Sequence, residues 1–121
     1  MALTLGQNQE VFAVQAAQLI LKAAEMGFGV RLGEALRTPE QQKLYFNSGA
    51  SKTMNSQHLK KLAIDLNLIK DGRLATAAEI RPLGKWWEDQ DISNRWGGSW
   101  RGLVEAGKSS FIDSPHFERI G

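Results

Sequence analysis

A chain of 121 residues with 42% hydrophobic and 23% charged residues has the size and composition of one domain, spanning 1–121, with a core of its own. It holds no cysteine, which excludes disulfides, thiol nucleophiles and thiolate metal sites, and no run approaches the roughly 20 apolar residues of a membrane span. A net charge of +2 with pI near 9.1 falls short of a nucleic-acid footprint, since Lys60, Lys61, Arg95 and Arg101 are scattered rather than striped.

From Asn8 to Met26 the apolar residues Phe12, Ala16, Leu19, Ala23 and Met26 recur at helical spacing, and Gly27 stands where a C-terminal cap belongs. Gly29 to Arg37 then alternates as a strand, with Val30 and Leu32 on one face and Arg31 and Arg37 on the other. Thr38 followed by Pro39 reads as an N-cap and first helical residue, opening a short helix through Phe46 that Gly49 stops. Positions 50–55 are small and polar, hence loop.

Leu62, Ile64, Leu66 and Leu68 put an apolar residue at every second position up to Ile69, with Asp65 and Asn67 on the opposite face. Asp71-Gly72 then turns this strand into a hairpin. Thr76 and Glu79 have capping-box spacing, while Pro82 predicts a break between a first turn and a second helix running from Leu83 to Asp89, with Trp86 and Trp87 in the core. RWGGSW reads as loop, and 109–120 holds a final strand. These elements predict an α+β domain: a small, mainly antiparallel sheet with helices packed on one side, the N-terminal one on the face of Ile64, Leu66 and Leu68.

Without cysteine, any metal must be held by His, Asp or Glu, and the chain has two histidines. A lone histidine is ordinarily a hydrogen-bonded structural residue. His58 and Asp65, an odd seven positions apart, cannot share a face of one continuous strand. They converge only if His58 lies on the loop before the strand, with the chain bending at HLKK to bring the imidazole over Asp65. His116, in DSPHFE, is the one remaining histidine, and a catalytic zinc wants about three protein ligands and an open position. Asp113 precedes His116 by three residues, a spacing that can place its carboxylate beside a metal as a general base.

Ser56, His58, Lys61, Ala63 and Asp65 in S-x-H-x-x-K-x-A-x-D, with Asp113, His116 and Phe117 in D-x-x-H-F, resemble the zinc D-Ala-D-Ala carboxypeptidase and L-alanyl-D-glutamate peptidase family. Bacteriophage endolysins and vancomycin-resistance peptidases belong to that family. RTPEQQ at 37–42 and WGGSW at 96–100 resemble its phage and cell-wall branch, and the likeness runs from Arg37 to the end. The resemblance implies a zinc ion (Zn2+) on His58, Asp65 and His116, with Asp113 as the base and Arg37 as the oxyanion clamp. Gln42 and Ser56 would either support the site residues from behind or contact substrate, and Trp96 would contact substrate, while Trp96 and Trp100 also fit plain core or rim packing.

Lys61 replaces the family's glycine and is expected to be an exposed loop cation that needs no positive φ, the alternative being a contact to a peptide carboxylate. The implied function is a zinc peptidase acting on peptidoglycan, a monomer with no nucleic-acid partner and no stable membrane insertion. The alternative is a non-catalytic, zinc-containing wall-binding or phage structural module of the same fold. MALTLGQNQE lacks the features of a secretory signal. Synthesis in a bacterial host cytoplasm and release to the wall by other means are therefore expected.

Overall fold

The computed structural model describes residues 2–49, 56–109 and 111–121, so the loop expected over 50–55 lies outside the described residues. Helix α1 (Leu5–Glu25) begins one turn earlier than the apolar periodicity indicates. Thr4 and Gln7 form a capping box there, each side chain accepting from the other's backbone N–H. Its buried stripe is Phe12, Ala16, Leu19 and Ala23.

Strand β1 (Gly29–Leu32) is shorter than the alternation suggests, and Arg37 is not on it. Past Leu32 the chain folds over the next strand, where Gly33 N–H donates to Asp65 O at 2.8 Å and Asp65 N–H to Glu34 O at 2.8 Å. This clasp stops regular pairing and sets residues 34–37 as a connector. Helix α2 (Pro39–Ser48) follows, with Thr38 Oγ1 accepting from Gln41 N–H and Gly49 closing the helix at φ 83°.

Strands β2 (Ala63–Lys70) and β3 (Arg73–Leu74) make the expected hairpin, turned by Asp71 and Gly72 at φ 53° and 74°. Helix α3 (Ala77–Gln90) is continuous through Pro82, contrary to the expected break. Proline removes one helical hydrogen bond at a cost of about 3 kcal/mol. Ile80, Leu83 and Trp87, on both sides of it, are fully packed, and burial of each such side chain returns about 1.5–3 kcal/mol. Arg95 and Trp96, expected as loop, lie in strand β4 (Asn94–Trp96), and the final strand β5 spans only His116–Arg119.

The sheet is antiparallel in the order β1-β2-β5-β4, with β3 paired to β2. On one face Leu66, Leu68, Phe117 and Trp96 join α1 and α3 in a single core, with Ile64 packed against it. The α+β reading and the seat of the N-terminal helix agree with expectation. Strand parity sends Ala63, Asp65, His116, Glu118 and Arg95 to the other face.

Candidate active site

Asp65 and His116 are direct partners across β2 and β5, so register alone brings their side chains together. His58 arrives from a 3₁₀ turn, Gln57–Lys60, capped by Ser56, whose Oγ accepts from His58 N–H at 3.2 Å. Lys61 ends that turn at φ 58°, ψ 36°, in the left-handed region, and its N–H bonds back to Gln57 O and His58 O. The expectation that Lys61 needs no positive φ is therefore overturned: reversing the chain from turn to strand requires it. Glycine, the residue of the resembling pattern, adopts that conformation freely.

The three side chains form a compact donor set, with His58 Nε2, Asp65 Oδ1 and His116 Nδ1 separated by 3.2–3.4 Å. His58 Nδ1 lies 2.9 Å from Ala35 O, which can only accept, so that nitrogen carries the proton and Nε2 turns its lone pair inward. His116 Nε2 lies 2.6 Å from Glu118 Oε1 and donates to it, leaving Nδ1 as the inward nitrogen. Two imidazole lone pairs 3.2 Å apart beside a carboxylate repel unless a cation stands among them. A proton on His116 Nδ1 is one such cation and a divalent metal is another.

The titrations agree with this picture. Burial works against charge on His116, yet its contacts with Asp65 and Glu118 raise it to about 9. Burial likewise opposes ionisation of Asp65, but its contact with His116 holds the carboxyl well below the usual range. Among the described residues this trio is the one group of His, Asp or Glu whose atoms, all within 4.8 Å, suit a metal. Two nitrogens and one oxygen at such spacing fit zinc with an open position.

Asp113 stands beside the trio rather than within it, its Oδ2 3.9 Å from His116 Nδ1. Burial pushes its carboxyl up. Its backbone is pinned by Asp113 N–H to Gly97 O at 2.8 Å and by His116 N–H to Asp113 O at 3.0 Å. Gly97 is required by this crossing, since a Cβ there would lie 2.1 Å from Asp113 O.

Arg37, on the connector, is nearly buried. Its Nε pairs with Glu34 Oε1, NH1 donates to Gln42 Oε1 at 2.7 Å, and NH2 lies 4.0 Å from Asp65 Oδ2. Arg37 N–H also donates to His58 O at 3.3 Å, tying the two site segments together.

Of the residues expected to contact substrate, Trp96 sits in the core, and Gln42 and Ser56 take the supporting alternative. Trp96 is 1% exposed, its Nε1–H donated to Ser114 O at 2.8 Å, so it is core and offers no wall to a ligand. A Cβ at Gly98 would meet its ring at 2.2 Å, which is why the second glycine of WGGSW is needed. Trp100 is the tryptophan at the site, its ring 5.3 Å from that of His116. Gln42 and Ser56 are buried and bond Arg37 and His58 respectively, supporting those residues from behind. The sequence reading missed Glu118, Arg95 and Glu34. Glu118, held by Arg95 at 2.8 Å, was visible by parity, since it lies two residues from His116 and so shares its face.

Residues 49–119 match the family model described as D-alanyl-D-alanine carboxypeptidase. The L-alanyl-D-glutamate peptidase of Listeria phage A118 is 35% identical over 106 residues, covering 85% of this chain. The chain spans 35% of the length of that curated relative. Among solved structures, the Serratia marcescens L-Ala D-Glu endopeptidase ChiX superposes with TM-score 0.60 at 24% identity, over 86% of this chain and 77% of that one. The LD-carboxypeptidase LdcB superposes with TM-score 0.55 at 20% identity, over 91% of this chain and 62% of that one. At these identities the two structures speak to the fold.

Proposed function

This chain belongs to the D-alanyl-D-alanine carboxypeptidase family of peptidases, and we propose that it is a zinc-dependent peptidoglycan peptidase. It would hydrolyse a peptide bond of the stem peptide or crosslink, with residues 1–121 working as one monomeric domain on the bacterial wall. The L-Ala–D-Glu bond named for the phage relative is the first to test. One observation carries the reading: two inward imidazole nitrogens and a carboxylate at metal-binding spacing, with a further carboxylate and a guanidinium beside them.

His58 Nε2, Asp65 Oδ1 and His116 Nδ1 would hold the metal. Bound there, zinc supplies Lewis acidity, lowering the pKa of water towards about 7 and polarising a carbonyl. Asp113 takes the proton from the attacking water as its oxygen bonds to the scissile carbonyl carbon. It then delivers that proton to the amine nitrogen as the C–N bond breaks. Arg37 NH2 donates to the carbonyl oxygen as negative charge develops there, an interaction that strengthens on the way to the transition state.

The test is mass spectrometry of purified peptidoglycan digested by the parent and by Asp113→Asn, with and without a chelator. The parent should release peptide fragments only with metal present. Asp113→Asn, nearly isosteric, should keep its zinc while the rate drops on the order of 100-fold, a usual general-base contribution. If both proteins bind the wall polymer and neither cuts it, the protein is a recognition module; if Asp113→Asn loses zinc, Asp113 is a ligand.

A further inference from the structure

The peptidase reading makes Arg37 a donor to the reacting oxygen, and such a donor is useful only if it points there before substrate arrives. We propose that Glu34 is the positioning residue that aims Arg37, a role that rests on that reading of Arg37. A guanidinium offers five N–H groups in a planar fork. Glu34 Oε1 engages Nε, Gln42 Oε1 takes NH1 at 2.7 Å, and the ring of Tyr45 lies 4.6 Å from the guanidinium carbon. Two edges and a face are thereby fixed, and NH2 is the edge turned towards the donor set.

Glu34 also holds the ring that sets the plane, because its Oε2 accepts from Tyr45 O–H at 3.2 Å. That bond and the Glu34 charge raise the Tyr45 pKa, keeping the phenol a donor. The backbone of Glu34 is itself anchored to the metal-binding strand through Asp65 N–H donating to Glu34 O at 2.8 Å. One residue therefore joins Asp65, by main chain, to Arg37, by side chain, and sets the spacing between them.

The 4.0 Å gap from Arg37 NH2 to Asp65 Oδ2 shows what the clamp prevents. It is too long for a hydrogen bond, although the two charges attract. Released from Glu34, the guanidinium would close that gap, spending on Asp65 the donor that the substrate needs. A misplacement of about 1 Å can cost on the order of 100-fold in rate.

The experiment compares zinc-loaded parent, Glu34→Ala and Glu34→Gln on purified peptidoglycan, with zinc content measured in each. Glu34→Ala should lower kcat by about 10- to 100-fold with KM within about threefold. Glu34→Gln keeps an oxygen for Nε–H and should recover to within about fivefold of the parent. Nitrogen–proton spectra supply a readout free of activity. The Arg37 Nε–H signal should be protected from solvent exchange in the parent and in Glu34→Gln, and lost in Glu34→Ala. Should Glu34→Ala fail to fold, Glu34→Asp, which keeps the charge and withdraws the oxygens by one methylene, should show the same loss.

Parental kcat in a folded Glu34→Ala or Glu34→Asp, or a protected Arg37 signal there, overturns the assignment. Parental kcat in Arg37→Ala instead overturns the role given to Arg37, and the spectra then decide the clamp by themselves.

Discussion

Lys61 occupies a left-handed conformation, φ 58° and ψ 36°, at the end of the turn that carries His58, so replacing it by glycine should stabilise the protein. An L-residue there pays about 1–2 kcal/mol because its Cβ crowds the following carbonyl oxygen. Glycine escapes that cost but loses about 0.5–1 kcal/mol more chain entropy on folding. No other loss is expected: Lys61 is exposed, no hydrogen bond or ion pair of its side chain is found among the described residues, and its backbone N–H bonds survive the change. The net is a gain of roughly 0.5–1 kcal/mol, or about 2–5 °C in Tm for a domain of this size. Thermal unfolding followed by circular dichroism, at saturating zinc for both proteins, measures it. Lys61→Ala retains a Cβ and should stay near the parent. If the alanine variant gains as much as the glycine variant, or the glycine variant melts lower, left-handed strain at Lys61 is not the cause.

Elemental analysis should find about one zinc per chain, the stoichiometry of an open three-ligand site, and His58→Ala, Asp65→Ala and His116→Ala should each lose metal and activity together. Because His116 is held protonated up to about 9, zinc uptake at neutral pH should displace its proton, with release fading above that pH; calorimetry in buffers of different ionisation enthalpy reads the number. Asp91→Asn should cost about 1–3 kcal/mol in urea unfolding, because it strips Arg119 NH1 of a carboxylate at 2.6 Å and leaves a buried cation with Asn8. Burial opposes ionisation of Asp91, yet Ser93 N–H and Arg119 depress its pKa, so this contribution should be present above the usual aspartate range and vanish as the solution is acidified through the depressed value. Gly97→Ala should lower activity more than tenfold, as a Cβ at 2.1 Å from Asp113 O forces the Asp113 backbone away, whereas an unchanged rate would mean that this crossing is slack.

What could be read from the sequence was set by short-range pattern. The alternation of Leu62, Ile64, Leu66 and Leu68, the helical stripe from Phe12 to Ala23 and the capping box at Thr76 each act within a few residues, and each marks a real element. The pairing of Thr4 with Gln7 was equally legible, but a boundary drawn from the apolar stripe alone fell at Asn8, one turn before Phe12. Strand β4 was not legible, since three residues are too few for alternation. Pro82 misled because a local cost was weighed without the packing of Ile80 and Trp87 that opposes it. Arg37 was placed on a strand for the same kind of reason: the clasp between Gly33, Glu34 and Asp65 joins positions some thirty residues apart.

At the site, parity was sufficient to say that His58 must leave the strand in order to meet Asp65, and Glu118 could have been found by the same rule. The two tryptophans of WGGSW could not be told apart. Their residue types are identical, and what separates them is a ring seated where Gly98 lacks a Cβ and another resting near His116. The tautomer of His58 lies deeper still. It is set by the carbonyl of Ala35, a group that every residue possesses, so no residue type at that position announces it. The donor set is therefore half visible in sequence: its side chains are named by their chemistry, while the carbonyl that orients His58 appears only once the connector from Gly33 to Arg37 has folded across β2.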